Sequence, residues 1–120
     1  MKSILIVEDD QAIAESLQEL LESEGYRVRV ATNGRKALEF LRKTATPPNL
    51  IVLDLMMPHM DGYQFRAEQE MDPKLSLIPV VLMTADGHIE AKTFKIGAKA
   101  YLNKPLDIEQ VLAAVKKSCS

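Results

Sequence analysis

Five polar side chains of this sequence stand directly behind short segments that are expected to be buried strands. They are Glu8 and Asp9 after residues 4–7, Asp54 after residues 50–53, Thr84 after residues 80–83, and Lys104 after residues 98–103. Ligands of open α/β sheets bind outside the carboxyl ends of the strands, and parallel strands bring those ends to one rim. We therefore expect these side chains to form one site.

The three carboxylates of this group determine its chemistry. Glu8, Asp9 and Asp54 cannot all stay ionised close together unless a cation joins them, and the single charge of Lys104 is too small to neutralise three. Hard oxygen ligands around an open position suit Mg²⁺ or Mn²⁺. With a cation and Lys104 beside it, Asp54 is placed to attack an electrophilic phosphorus and form an aspartyl phosphate. The cation and Lys104 would stabilise charge on the transferred oxygens, and the Thr84 hydroxyl is placed to donate to one of them.

The elements that would position this site alternate between strand and helix. The three continuous apolar runs that precede Glu8, Asp54 and Thr84 predict strands buried on both faces. Residues 26–31 alternate apolar and charged side chains, a pattern that predicts a half-exposed strand at a sheet edge. Residues 98–103 predict a short last strand. Helical spacing predicts five helices, of which the fourth is built around Ile89, Ala91 and Phe94.

Strict alternation predicts right-handed crossovers and a parallel sheet with helices on both faces. With 120 residues, the expected fold is α/β and flavodoxin-like, a doubly wound five-stranded parallel sheet of strand order 2-1-3-4-5 with five helices. We expect one domain over residues 1–120. This order places the strands that end at Glu8 and Asp54 side by side.

Local signals predict where several helices begin and end. Asn33, Asp61 and Asp107 are each expected to cap a helix N-terminus. Gly25 is expected to follow the last residue of the first helix, because glycine readily adopts the left-handed conformation of that position. The apolar face of the last helix is predicted to consist of Ile108, Val111, Leu112 and Val115.

Composition limits the classes of function. Hydrophobic residues make up 47% of the chain and the net charge is −2, so we expect a globular domain that binds neither nucleic acid nor a membrane surface. The single cysteine, Cys119, excludes an internal disulfide and favours a reducing, cytoplasmic compartment. No apolar run reaches the length of a membrane span, and we expect no signal peptide.

The chain resembles the receiver domain of bacterial response regulators over essentially its whole length. Each matching segment is a weak pattern alone, but their order and spacing together are highly specific. The segments are residues 4–10 (ILIVEDD), 53–58 (LDLMMP) with 60–62 (MDG), 83–85 (MTA) and 97–105 (GAKAYLNKP).

The resemblance implies that Asp54 accepts a phosphoryl group from the phosphohistidine of a sensor histidine kinase or a phosphotransfer protein. It implies a metal site for Mg²⁺ (or Mn²⁺) in which Asp9 and Asp54 bind directly, Met56 offers its backbone carbonyl and Glu8 acts through water. In this alignment Asp10 begins the first helix.

The resemblance also implies a switch. Thr84 matches the hydroxyl that moves toward the phosphoryl group, Tyr101 matches the aromatic residue that follows it inward, and Lys104 matches the lysine of the site. The face made by the fourth predicted helix, the fifth strand and the last helix would then change shape for a downstream protein. The chain would be a signalling switch that catalyses only its own phosphorylation and dephosphorylation. The Lys104–Pro105 peptide bond is predicted to be cis.

Several alternatives compete with this interpretation. Residues 8–10 could merely cap the first helix, and Asp54 could be a structural acid paired with Lys104. A flavin-binding module would need a small-residue phosphate loop where this chain has Glu8. An aspartate-dependent phosphatase usually carries a second acid at the position of Met56. The sequence leaves open the cognate kinase, the output partner, the oligomeric state, the phosphoryl lifetime, and whether this is a stand-alone regulator or part of a hybrid kinase or longer regulator.

Overall fold

The computed structural model describes residues 2–85 and 97–119. In these ranges the chain forms β1 (Ser3–Val7), α1 (Gln11–Ser23), β2 (Arg27–Ala31), α2 (Gly34–Lys43), β3 (Leu50–Asp54), α3 (Gly62–Met71), β4 (Val80–Thr84), β5 (Ala100–Asn103) and α4 (Ile108–Cys119). None of the helices in these ranges is long and apolar enough to cross a membrane.

The described strands form one parallel sheet in the order β2-β1-β3-β4-β5, which confirms the predicted flavodoxin-like topology. Four helices are described rather than the predicted five. The predicted fourth helix, with Ile89, Ala91 and Phe94, lies outside the described residues. The charged strand β2 is an edge strand, as its alternating pattern predicted.

The register of the sheet brings the carboxyl ends of the central strands level with one another. Val7 of β1 pairs with Leu53 of β3, and Asp54 pairs with Met83 of β4. Every residue of β3 and β4 is buried. Side chains on the two faces of the sheet join two hydrophobic clusters of the described residues, one with α2 and α3 and the other with α1 and α4. The sheet is therefore a rigid support for the residues that follow its strands.

The predicted helix caps are observed. Asn33, Asp61 and Asp107 each accept a hydrogen bond from the backbone N–H three residues later, at 2.9 to 3.0 Å. Gly25 follows α1 with φ +92°. One detail was wrong: Ile108 begins α4 but is 62% exposed, and the buried residues of this helix are Val111, Val115 and Cys119.

Candidate phosphoryl-transfer site

Three carboxylates meet at the carboxyl ends of β1 and β3. Oxygens of Glu8, Asp9 and Asp54 lie within 4.8 Å of one another. Asp54 is the last residue of β3 and is 3% exposed, while Glu8 directly follows β1 and is 1% exposed. Asp9 is exposed. The group therefore has two buried acids and one acid open to solvent, as a site that receives a ligand from outside requires.

Asp10 belongs to the helix rather than to the carboxylate group. Its side chain accepts a hydrogen bond from the backbone N–H of Ile13 at 3.1 Å and so caps α1. Its own backbone N–H donates to Glu8 Oε2, also at 3.1 Å. The helix-cap interpretation of residues 8–10 is thus correct for Asp10, and it leaves Glu8 and Asp9 facing Asp54.

Lys104 lies between the two buried acids. Its Nζ is 2.7 Å from Glu8 Oε1 and 3.4 Å from Asp54 Oδ1. Its backbone N–H donates to the carbonyl of Thr84 at 3.0 Å, which ties the end of β5 to β4. The Lys104–Pro105 bond is cis, as predicted. The sequence indicated the meeting of Lys104 with Asp54 but missed that Glu8 is its nearer partner.

The electrostatics of the group follow from burial and from unequal charge. Burial raises the pKa of Asp54 from 3.8 to about 7, and the hydrogen bond and negative charge of Glu8 add to this effect. The positive charge of Lys104 and the backbone N–H of Met56 oppose it without cancelling it. For Lys104, burial lowers the pKa, but the hydrogen bond to Glu8 and the charges of Asp54 and Glu8 leave it raised. One lysine therefore does not neutralise the site, and further positive charge would be favourable there.

The loop after β3 shapes the open side of the site. The N–H of Met56 donates to Asp54 Oδ1 at 3.2 Å, and the Met56 side chain is 65% exposed. The N–H of Gly62 donates to the carbonyl of Leu55 at 2.8 Å. A Cβ atom on Gly62 would meet Leu55 Cα at 2.9 Å, so a residue without a side chain is needed for this approach. The Asp-Gly pair at residues 61 and 62 was a sequence signal for the helix cap, but the close approach was not apparent from it.

The two residues expected to form the switch lie on neighbouring strands. Thr84 ends β4 and is 1% exposed, and it pairs with Asn103 in the sheet. Tyr101 is on β5, opposite Leu82, and is 37% exposed. Residues 86–96 lie outside the described ranges, and with them Asp86 and the predicted helical part of the switch face. The structure thus positions Thr84 at the rim with Asp54 and places Tyr101 two residues before Asn103 on the adjacent strand.

The donor set fits a hard divalent cation. Carboxylate oxygens are the ligands that Mg²⁺ and Mn²⁺ prefer, and Mg²⁺ is commonly held by one or two carboxylates together with waters and phosphate. Within the described residues, Glu8, Asp9 and Asp54 supply such oxygens in one cluster. Burial, followed by the neighbouring Glu8, raises the pKa of Asp54, so a cation beside this carboxyl would favour its ionised form.

Comparisons with known proteins agree with the fold. Residues 4–116 match the family described as response regulator receiver domain. The DNA-binding dual master transcriptional regulator RpaA of Synechocystis is 40% identical over 118 residues, which are 97% of this chain and 48% of RpaA. RpaA is named as a DNA-binding protein. The comparison therefore does not support the prediction, made from net charge, that this chain does not bind nucleic acid.

Solved structures similar to this chain include a receiver domain of a histidine kinase and a chemotaxis protein. The signal receiver domain of a histidine kinase from Syntrophus aciditrophicus has a TM-score of 0.87 and 36% identity, covering 99% of this chain and 90% of that one. The chemotaxis protein CheY4 of Vibrio cholerae has a TM-score of 0.88 and 27% identity, with 98% of each chain covered. The chain spans about half the length of the curated relatives that it matches. The chain belongs to the family of response regulator receiver domains.

Proposed function

We propose that this receiver domain is a phosphoacceptor and that Asp54 carries the phosphoryl group. The observation that supports this most strongly is the placement of a buried carboxylate beside two further carboxylates and a lysine, with its pKa raised to about 7. A strongly perturbed pKa with identified charge partners at the end of a strand is typical of functional sites. A purely structural ion pair would not need the two additional carboxylates.

The proposed step is nucleophilic displacement at phosphorus. An oxygen of ionised Asp54 forms a bond to the phosphorus of a phosphohistidine, and the P–N bond to the imidazole breaks with its electron pair going to the nitrogen. Because the pKa of Asp54 lies near 7, this carboxyl is partly protonated at neutral pH and must lose its proton before it attacks. The donor is a sensor histidine kinase or a phosphotransfer protein.

The proposed cation ligands are Asp9, Asp54 and the backbone carbonyl of Met56, with Glu8 acting through water. When bound, Mg²⁺ or Mn²⁺ would supply positive charge that favours ionised Asp54 and stabilises the transferred oxygens. Glu8 already accepts a hydrogen bond from the N–H of Asp10 and another from Lys104, so its position is fixed from two sides.

Lys104 has the proposed role of contacting the transferred phosphoryl group. Its Nζ lies 2.7 Å from Glu8 Oε1 and 3.4 Å from Asp54 Oδ1. The flexible side chain of Lys104 can turn from Glu8 to a phosphoryl oxygen on Asp54 without backbone motion. Charge-assisted hydrogen bonds to such oxygens are stronger than neutral ones.

The proposed output is a shift between two conformations. Phosphorylation adds charge and acceptor oxygens at Asp54, Thr84 donates to one of them, and Tyr101 turns inward from the surface. This favours a state that a downstream protein binds. The domain then acts as a cytoplasmic switch, with catalysis limited to its own phosphorylation and dephosphorylation. Replacing Thr84 with alanine should abolish the difference in partner affinity between phosphorylated and unmodified protein, and an unchanged difference would contradict this part.

Phosphorylation itself can be tested by intact mass spectrometry after incubation with acetyl phosphate, with Mg²⁺ or with a chelator. The wild-type chain should gain one phosphoryl group only with the cation. Asp54→Asn should gain none, and the matched control Asp61→Asn, which changes the partly buried cap of α3, should react as wild type does. Reaction of Asp54→Asn at the wild-type rate would refute the proposal.

A further inference from the structure

Charge is strongly segregated along the first third of the chain. Residues 3–26 contain no lysine or arginine but seven carboxylates, at Glu8, Asp9, Asp10, Glu15, Glu19, Glu22 and Glu24. Residues 27–43 contain a single carboxylate, Glu39, and six cations, at Arg27, Arg29, Arg35, Lys36, Arg42 and Lys43. The net charge of −2 for the whole chain conceals this contrast. The second segment forms β2 and α2.

Four of these cations line two adjoining cavities, and we call them the basic surface: Arg27, Arg29, Lys36 and Lys43. The first cavity, of about 500 Å³, is lined by Arg27 and Arg29, and the second, of about 390 Å³, by Arg29, Lys36 and Lys43. Both cavities share Arg29, Phe40 and Thr44. The two cavities therefore form one continuous depression along the edge of the sheet.

The centre of this depression is a cation–π pair. The guanidinium carbon of Arg29 lies 4.5 Å from the centroid of the Phe40 ring. Stacking on the ring fixes the plane of the guanidinium while leaving its N–H donors at the edge of that plane available. The first cavity also has apolar lining residues, among them Phe40, Pro47 and Pro48. The surface thus combines oriented cationic donors with an apolar recess.

The basic surface lacks anionic partners of its own in the part of the chain that the structure describes. The nearby ion pair joins Arg42 to Glu68 at 3.9 Å, and the four cations of the basic surface form none within residues 2–85 and 97–119. Glu39 is the one carboxylate that lines the second cavity. The four neighbouring positive charges, which form no ion pair within the described residues, would attract an anionic ligand.

We propose that the basic surface binds an acidic peptide segment of a partner protein. Carboxylates of the segment pair with the four cations, and its apolar side chains enter the recess beside Phe40. The first cavity, of about 500 Å³, has the volume of sites that accept a few side chains. Bidentate pairing with Arg29 would give the contact directional specificity.

Two observations favour a short acidic peptide over nucleic acid. Of the seven carboxylates of residues 3–26, three lie between β1 and α1, three lie on α1 and one directly follows it, and together they would repel a long polyanion that extended past the cavities. A phosphate backbone also offers no apolar side chains for the recess beside Phe40, Pro47 and Pro48. A short segment can avoid the acidic region and use the recess.

Fluorescence anisotropy with a labelled peptide of alternating glutamate and leucine tests this proposal. A peptide of about eight residues spans about 27 Å when extended. The test variant is Arg29→Gln with Lys36→Gln and Lys43→Gln. A control variant with the same change in charge elsewhere is Lys74→Gln with Lys99→Gln and Lys116→Gln, all at exposed positions. Circular dichroism establishes that both variants are folded, and Arg29→Gln alone replaces the test variant if it is not.

The expected result is binding by wild type that weakens with added salt. The test variant should bind about tenfold more weakly, because it loses three charge pairs that each contribute modestly, whereas the control should stay within about twofold of wild type. Equal weakening in both variants would show general attraction to positive charge and would overturn the proposal. So would an absence of wild-type binding, or tighter binding of a DNA duplex than of the peptide.

Discussion

Replacing Asp54 with asparagine should make the protein more stable at pH 8 and leave it nearly unchanged at pH 5. The folded-state pKa of Asp54 is raised from 3.8 to about 7, so the folded protein holds a proton there that the unfolded chain releases above pH 4. Wild-type stability therefore falls as pH rises from about 4 to about 7. Asparagine does not titrate, and its amide oxygen can still accept the hydrogen bond that Met56 donates to Asp54 Oδ1.

The size of the effect follows from the two pKa values. A difference of about three pH units corresponds to about 4 kcal/mol of unfolding free energy once both states are ionised. Because relaxation and water entry reduce such costs, we expect Asp54→Asn to be about 2–4 kcal/mol more stable than wild type at pH 8. The positive charge of Lys104 lowers the pKa of Asp54, and the value of about 7 already includes this effect. Lys104 therefore does not remove the expected stability difference.

Urea unfolding followed by circular dichroism between pH 5 and pH 8, with a chelator present, measures this difference. Glu19→Gln provides the control, because it removes an exposed carboxylate of α1 and should change stability by less than about 0.5 kcal/mol at either pH. The reasoning is refuted if the advantage of Asp54→Asn is the same at pH 5 and pH 8, or if wild type gains stability relative to the variant as pH rises.

Three further predictions concern the cation, the loop and the lysine. Mg²⁺ should raise the unfolding free energy of wild type by about 3 kcal/mol when it is present at a hundredfold excess over its dissociation constant. Asp9→Asn should lose most of this gain in the same urea assay. An undiminished gain in the variant would show that Asp9 is not a ligand of the cation. Gly62→Ala should cost about 1–3 kcal/mol of unfolding free energy, because its Cβ would meet the backbone of Leu55 at 2.9 Å. Gly34→Ala should cost less, because the Cβ there meets the movable sulfur of Met60. Equal costs in thermal unfolding would contradict this difference. Lys104→Met should lower stability at pH 8 by about 3 kcal/mol and by less at pH 5, where Asp54 is protonated; a loss independent of pH would indicate that the lysine stabilises the fold through Glu8 or by packing rather than through Asp54.

Much of the fold was predictable because several independent signals pointed to the same elements. The apolar run before Asp54 marked a strand buried on both faces, and all five residues of β3 are buried. Alternation of strands and helices then left few topologies, and the observed strand order is the predicted one. Caps such as Asn33 and Asp107 were predictable because a side-chain oxygen three residues before a free N–H is a local feature.

The remaining details depend on tertiary packing. The sequence of α3 has no single apolar stripe, because one of its buried residues is Gln69. Its amide donates to the carbonyls of Leu75 and Ile78 at 3.0 Å and so holds the following loop. Periodic hydrophobicity cannot detect a buried amide that serves a loop. Ile108 has the right spacing for the apolar face of α4, but it is the first residue of the helix and is 62% exposed.

The candidate site was predictable as a group of residues but not as a set of distances. Strand order alone brings Glu8, Asp54 and Lys104 to one rim. Which acid the lysine contacts more closely depends on backbone geometry after β1 and β5, and there Glu8 is held by the N–H of Asp10. The pairing of Lys104 with Glu8 at 2.7 Å therefore required the structure.

The central claim is that Asp54 is the residue that carries the phosphoryl group. Borohydride reduces an aspartyl phosphate to homoserine, so trapping after reaction with acetyl phosphate and Mg²⁺, followed by peptide mapping, identifies the acceptor directly. We expect homoserine at position 54, in amounts that fall to background when a chelator replaces Mg²⁺. Reduction at Asp9 instead, or phosphoryl groups that are stable to borohydride while position 54 remains aspartate, would contradict it.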